Sequence, residues 1–292
     1  MAKALNGILP VIKPEGWTSH DVVAKLRGIT RVKRIGHSGT LDPMATGVLL
    51  LFIGRATRAV QFAEANDKTY IAKMRLGIET DTQDITGTVV KLSEQAASFI
   101  DEDNILSILP KFSGDIFQLP PMYSAIKKDG KKLYELARAG KEVEREKRQI
   151  NISELKLIGK EKDDYVLSVS CSKGTYIRTL CHDIGKELGC GACMSALCRT
   201  RVGNFTINDA HELEIIINKG AEEFLLPVDS LFKEYPEQTA TVAEEKYIKN
   251  GVAYKTQAPD GTYRIYSENG EFLMLGEVNG NIMSTIKSFF EV

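Results

Sequence analysis

The sequence predicts an α+β chain in two units, and three observations predict it. Strand-like alternation and helical spacing are interspersed through roughly the first 230 residues. Lys233-Glu234-Tyr235-Pro236-Glu237-Gln238 then has the composition of a linker. Beyond it, short strand-like runs (Tyr263-Arg264-Ile265-Tyr266 and Phe272-Leu273-Met274-Leu275) alternate with Gly/Asn turns, as in a small β domain. The length of 292 residues agrees with about two domains.

In chain order, 8–12 reads as a strand ended by Lys13-Pro14-Glu15-Gly16. Ser19 reads as the cap of a helix with Val22, Val23, Leu26 and Ile29 at helical spacing. A loop at 36–47 leads into 48–53, a short aliphatic run between glycines that reads as a buried strand. A short helix is expected from Arg55 to about Ala65. Residues 68–76 alternate, with Tyr70, Ala72, Met74 and Leu76 inward, so Tyr70 belongs at the rim of the core. Glu79-Thr80-Asp81-Thr82-Gln83-Asp84 lacks the glycine and terminal glutamate of a calcium loop and reads as a turn between strands. A polar helix follows at about 94–109.

Within 111–148, Pro120-Pro121 interrupts the chain, and the cations Lys127, Lys128, Lys131, Lys132 and Arg138 are interleaved with Tyr123 and Tyr134. Such a segment suits RNA, with cations for phosphates and rings for stacking; a solvated helix-turn has the same composition. Residues 150–172 read as two strands, the second with Tyr165, Leu167, Val169 and Cys171 on one face. Gly174 turns the chain, and Thr175 reads as the cap of a helix burying Ile177, Leu180, Ile184 and Leu188. Arg178 lies off that stripe in the first turn, where it can reach across a cleft or sit on the surface. A strand at 194–205 carries Leu197, Arg199 and Arg201; a helix near 208–217 and Leu225-Leu226-Pro227 close the first unit.

The totals exclude several classes. Hydrophobic content of 43% and charged content of 26% are those of a globular protein, and no apolar run approaches a membrane span. Met1-Ala2-Lys3-Ala4-Leu5-Asn6 lacks the apolar core of a secretory signal, so a cytoplasmic location is expected. The net charge of -1 conceals segregation: residues 1–60 carry nine Lys/Arg against three Asp/Glu, 123–150 nine against five, and 206–248 three against ten. A basic face on one part of the molecule follows, with solvated helix surface as the plainer reading. Cys171, Cys181, Cys190, Cys193 and Cys198 match no recognised zinc spacing, and His182 is their lone histidine neighbour. Free thiols are expected, and no metal.

The most informative stretch is Gly36-His37-Ser38-Gly39-Thr40-Leu41-Asp42-Pro43-Met44-Ala45-Thr46-Gly47. Its glycines and proline rule out regular structure, and Pro43 restricts Asp42 to extended angles. An ordered loop rooted on a buried strand can hold one carboxylate, Asp42, in a fixed place. A tight turn whose aspartate serves only local backbone is the other reading. A phosphate cradle fits poorly, because the Gly-Lys-[Ser/Thr] ending is absent.

Taken together, the motifs resemble the bacterial family of tRNA pseudouridine synthases (TruB family) that modify the uridine at position 55 in the T-loop. Lys13-Pro14-x-Gly16-x-Thr18-Ser19 is similar to the family's opening motif, and Gly36-His37-x-Gly39-x-Leu41-Asp42-Pro43-x-Ala45-x-Gly47 to its catalytic loop. Lys68-x-Tyr70, Thr80-Asp81-Thr82-x-Asp84, Pro120-Pro121-x-Tyr123-Ser124-Ala125 and Gly174-Thr175-Tyr176-Ile177-Arg178 follow in the family's order. Leu197-Cys198-Arg199-Thr200 is similar to the last motif, with Cys198 where a basic residue is usual; Asn204 stands where proline is frequent.

The resemblance implies a pseudouridine-synthase fold with a mixed, mainly antiparallel sheet and flanking helices in a catalytic domain at 1–232. It also implies a thumb insertion over the RNA at about 118–147 and a small PUA-like RNA-binding β domain at 239–292. The implied partner is the T-arm of tRNA, with no membrane, no obligate protein partner and a monomeric enzyme. Asp42 is then the essential carboxylate. The isomerisation oxidises nothing and transfers no external group, so no cofactor is expected.

The remaining assignments follow from that chemistry. Desolvation raises the pKa of an aspartate and a guanidinium lowers it, so Arg178 is the expected counter-ion, holding Asp42 by a forked contact. Tyr70 is expected to stack on the extruded base; with an ordinary phenol pKa near 10 it is a poor base, and proton transfer at C5 is its secondary role. His37 is placed to fill the gap left by the flipped base, and the resemblance implies that Tyr176 and Leu197 line the pocket. The rival class is a non-catalytic RNA-binding or tRNA-folding module, to which a carboxylate at position 42 brings nothing.

Overall fold

The computed structural model describes residues 5–290. Residues 1–4 and 291–292, the outer ends of the two expected units, lie outside the described residues, and with them most of the 1–6 stretch read above. Ten strands form the central sheet. Its main path runs His211–Glu212, Gly7–Lys13, Thr46–Ile53, Ala192–Val202, Lys68–Leu76, Asp164–Cys171, Arg148–Glu161 and Gly114–Gln118. Two pairings are parallel, Gly7–Lys13 with His211–Glu212 and Thr46–Ile53 with Ala192–Val202; the other ladders of this sheet are antiparallel. The sheet is thus mixed and mainly antiparallel, in an α+β fold.

The apolar run at 48–53 is explained by burial on both faces. Leu49, Leu51 and Ile53 join Leu9 and Val11 in the cluster under helices Ser19–Thr30 and Ile177–Glu187. Val48, Leu50 and Phe52 face the opposite cluster with Ile8, Phe205 and Phe232. A strand covered twice has no polar side to show, so the usual alternation disappears. Each of these side chains contributes about 1.5–3 kcal/mol by leaving water.

A second sheet has the order Glu237–Thr239, Gly261–Tyr266, Phe272–Asn279, Ile282–Ser288 and Tyr254–Lys255, with helix Val242–Lys249 beside it. The linker composition at 233–238 therefore ends inside this sheet, where Gln238 pairs with Ile265. The two sheets share apolar packing: the Phe232 ring lies 5.8 Å from Phe289 and 6.2 Å from Phe272. Between Gln118 and Arg148, which are paired in register, residues 119–147 leave the sheet edge and return to it. This excursion holds a Lys127–Lys128/Lys131–Lys132 hairpin and helix Leu133–Arg138.

Several boundaries differ from the sequence reading. Thr18, not Ser19, caps the first helix, through a reciprocal box with Asp21. The polar helix at 94–109 is two pieces, Glu94–Ala97 and Glu102–Ile108, because Asp101 starts a new capping box with Asn104. The strand expected to reach 205 stops at Val202, where Gly203 takes a left-handed φ of 57°. The helix expected near 208–217 begins only at Leu213. Among the described residues no helix is long and apolar enough to cross a membrane.

Candidate active site

The loop between strands Ile35–His37 and Thr46–Ile53 is fastened from below at several points. Ser19, freed from capping, accepts a hydrogen bond from the Leu41 amide at 2.9 Å and donates to the Leu41 carbonyl at 3.3 Å. The Ala45 amide donates to the Asp42 carbonyl at 3.0 Å, closing a turn around Pro43. The Pro43 carbonyl accepts from the Gly16 amide at 2.8 Å and from the Lys13 ammonium at 3.2 Å. Lys13 is fully buried and also donates to the carbonyls of Pro14 and Trp17. Burial lowers its pKa to about 8, against the opposing pull of Asp42.

Asp42 meets Arg178 as the sequence reading expected. Arg178 Nε lies 2.9 Å from Asp42 Oδ2, and its Nη2 donates to Oδ1 at 3.4 Å, so the contact is a fork with one short and one long tooth. Arg178 is not a surface residue: its side chain is 7% exposed. Its remaining donors reach the Thr82 carbonyl at 3.0 Å and the Tyr123 carbonyl at 2.8 Å, and Asp84 Oδ2 stands 3.6 Å from Nη1. One guanidinium thus joins the Asp42 loop, the turn at 81–88 and the root of the excursion. Asp84 is itself fixed, accepting from the Thr82 hydroxyl and from the Thr86 amide and hydroxyl.

The Asp42 side chain keeps 36% of its surface accessible. Even so, burial pushes its pKa above the ordinary aspartate value and Asp84 adds to the rise, while Arg178 and Lys13 oppose it. Desolvation outweighs the guanidinium. Arg178 is thus in contact with Asp42, and its pull does not bring the carboxyl down to the ordinary aspartate value.

Helix Ile177–Glu187 delivers Arg178, and its start differs from the sequence reading. Tyr176 occupies the cap position, and the Thr175 hydroxyl instead donates to the Ser172 carbonyl. The buried Gln118 amide grips Tyr176 on both sides, accepting from its backbone N–H at 2.8 Å and donating to its carbonyl at 3.0 Å. Tyr176 is half-buried, and its phenol is pushed up by burial. Tyr70 packs at the edge of the core cluster, as the alternation of its strand indicated. Burial raises its pKa, Arg199 opposes the rise and the Asp42 charge adds to it, so it stays a neutral phenol.

His37 ends its strand in register with Leu51, its ring edge-on to His20 at a centroid distance of 5.9 Å. Burial, together with the neighbouring His20 and Arg199, lowers its pKa. Leu197 is a core residue, 8% exposed and paired with Ala72. Asp42 and Arg178 are thus in direct contact, Tyr70 and Tyr176 lie within the field of Asp42, and His37 stands at the loop's entry.

Sequence reasoning gave no role to Lys13, Asp84, Gln118 or Arg199. For Lys13 a signal existed: Leu9, Val11 and Lys13 share one face of a strand, so a lysine was bound for the interior. The same spacing applied to Leu197 and Arg199. The five cysteines are free, four of them buried, and burial raises the thiols of Cys171 and Cys193 to about 11.

Comparison with known proteins shows the family. The chain matches the family model for the TruB family pseudouridylate synthase N-terminal domain over residues 27–177, and that for the tRNA pseudouridylate synthase B C-terminal domain over 178–233. It is 43% identical over 279 residues to tRNA pseudouridine synthase B of Clostridium tetani, covering 94% of this chain and 96% of that one. The protein of the same name from Clostridium acetobutylicum is 42% identical over 289 residues, covering 97% and 99%. Among solved structures, a chain of a Cbf5-Nop10-Gar1 complex superposes with a TM-score of 0.71 at 25% identity, over 97% of this chain and 85% of that one. A chain of an H/ACA RNP bound to a substrate RNA gives the same TM-score at 23% identity, covering 98% and 85%, a likeness of fold.

Proposed function

The chain belongs to the TruB family of pseudouridylate synthases, and from that membership we propose that it converts the uridine at position 55 in the T-loop of tRNA to pseudouridine, with Asp42 as the reacting carboxylate. The reaction breaks the N1–C1′ bond, turns the base and joins C5 to C1′, while the hydrogen on C5 is exchanged for one on N1. One ionised carboxylate serves each route open to it: addition at C6, attack at C1′, or proton removal at C2′. The forked Asp42–Arg178 contact carries the proposal, because it aims a partly desolvated carboxylate from an ordered loop.

The remaining residues take roles around that pair. The target uridine is stacked within a folded loop, and flipping it out costs a few kcal/mol. Tyr70 stacks on the extruded base, a contact worth about 1–3 kcal/mol. Its raised pKa leaves it a donor at neutral pH and supports stacking over proton abstraction. His37 enters the gap in the RNA, and Tyr176 and Leu197 line the base pocket.

Residues 1–232 form the catalytic unit. The excursion at about 118–147 closes over the RNA, and 239–292 form a PUA-like RNA-binding unit. Tyr134 between Lys132 and Arg138, each about 5 Å from its ring centroid, suits stacking beside phosphates. The enzyme acts as a cytoplasmic monomer on tRNA without a cofactor.

Incubating the protein with an unmodified T-arm hairpin and mapping pseudouridine tests the reading. One modified uridine at position 55 is expected. Tight binding without product would support a non-catalytic RNA-binding module instead.

A further inference from the structure

Among the described residues Arg199 is the largest fully buried side chain, at 1% exposure. Among the described residues no carboxylate forms an ion pair with it, an expensive arrangement for an interior cation. What it touches explains its presence. Its Nε donates to the Val48 carbonyl at 2.7 Å and its Nη2 to the Gly39 carbonyl at 3.2 Å. Those two carbonyls are the feet of the loop that carries Asp42.

Two further observations place it under the same loop. Gly47, the second residue of the strand that follows the loop, has a φ of 97°, and a Cβ there would lie 2.2 Å from the Arg199 carbonyl oxygen. The start of the strand that leaves the loop is therefore pressed onto the Arg199 backbone, where Gly47 and Arg199 pair in parallel register. On its other side, Arg199 pairs with Tyr70 across the antiparallel ladder.

We propose that Arg199 is a positioning residue for the reaction: its guanidinium staples both feet of the catalytic loop and sets the spacing between Asp42 and Tyr70. The inference rests on the reading of Asp42 and Tyr70 given above. Its field also opposes the upward shift of the Tyr70 phenol. A planar fork presents donors on separate nitrogens, in the directions of the two carbonyls, whereas all the donors of an ammonium radiate from one nitrogen. Misplacing a reacting group by about 1 Å costs on the order of 100-fold in rate.

The test compares Arg199→Lys, Arg199→Met and Asp42→Asn in the full chain. Three quantities are measured: single-turnover rate on a T-arm hairpin, affinity for that hairpin, and amide hydrogen exchange across 39–48. Arg199→Met should lose about 100-fold in rate and Arg199→Lys about tenfold, a partial rescue by the retained donor. Hairpin affinity should stay within about twofold, and exchange should quicken across 39–48 in both arginine variants. A purely structural role would lower affinity and melting temperature together and leave the rate of the folded fraction unchanged.

Arg199→Lys turning over at the wild-type rate would overturn the inference. Failure of both arginine variants to fold would also overturn it, since the residue would then be a requirement of the core. An active Asp42→Asn would instead sink the underlying reading of the site, so the two failures are distinguishable.

Discussion

Replacing Arg178 by lysine probes the centre of the site. Arg178 faces four acceptors at hydrogen-bonding distance: Asp42 Oδ2 at 2.9 Å, Asp42 Oδ1 at 3.4 Å, and the carbonyls of Thr82 and Tyr123 at 3.0 and 2.8 Å. They lie around a planar fork, and a lysine ammonium, with donors on one nitrogen, cannot span them. The Nη2 hydrogen bond to Asp42 Oδ1 and the 2.9 Å ion contact of Nε with Oδ2, which together aim the carboxylate, are the first to go. A hydrogen bond to a charged group contributes about 1.5–3 kcal/mol, which corresponds to roughly 10- to 150-fold in rate. The charge is kept, so the carboxylate is misaimed more than it is neutralised. Single-turnover pseudouridine formation on a saturating T-arm hairpin measures the effect, with hairpin affinity and melting temperature as controls. A loss of about 100-fold in rate with affinity little changed is expected. A wild-type rate would refute the counter-ion geometry, and a matching loss of affinity would make Arg178 a binding residue.

Burial raises the Asp42 carboxyl in the folded protein, so the folded state holds more protons than the unfolded chain from the ordinary aspartate range up to the raised value. The stability this gives at acid pH is lost as pH rises through the folded value. Asp42→Asn should therefore melt higher than wild type at pH 7 and no higher at about pH 3; an equal gain at both would contradict the burial argument. Because Gln118 and Arg148 are paired neighbours, residues 119–147 can be exchanged for a tight Asn-Gly turn. That variant should fold and lose hairpin affinity, and unchanged affinity would remove the excursion from RNA binding. Ending the chain at residue 236 uncovers Phe232 and Phe205 by taking away Phe272, Leu275 and Phe289. At about 1.5–3 kcal/mol for each side chain removed, the melting temperature should fall by many degrees; an unchanged value would mean that the two sheets are independent.

The sheet was legible where a strand alternates or is wholly apolar. Ala72, Met74 and Leu76 entered the core as their spacing required, and 48–53 became the doubly covered strand. Boundaries were less legible because caps compete: Thr18 and Ser19 are both good N-caps, and what decides between them is Leu41, twenty-two residues away, which claims the Ser19 hydroxyl. The same holds at Tyr176, whose backbone is taken by Gln118 from across the sheet. The pattern made Asp42 a loop carboxylate and put Arg178 off the apolar stripe in a first turn; that Asp42 is the essential carboxylate, and Arg178 its counter-ion, came with the resemblance of the surrounding motifs to a known family. Lys13 and Arg199 were passed over because long cations are ordinarily placed in water. The carbonyls of Pro14, Trp17 and Pro43 make an interior site for the first, and those of Gly39 and Val48 for the second.

In the proposed reaction the carboxylate of Asp42 performs the chemistry. Asp42→Asn keeps the shape of the side chain and its hydrogen-bond acceptor while removing the charge. The most direct measurement is pseudouridine formation by that variant on the T-arm hairpin, alongside its affinity for the same RNA. Wild-type affinity with no detectable pseudouridine is predicted; turnover at a rate near that of the wild type would contradict the account.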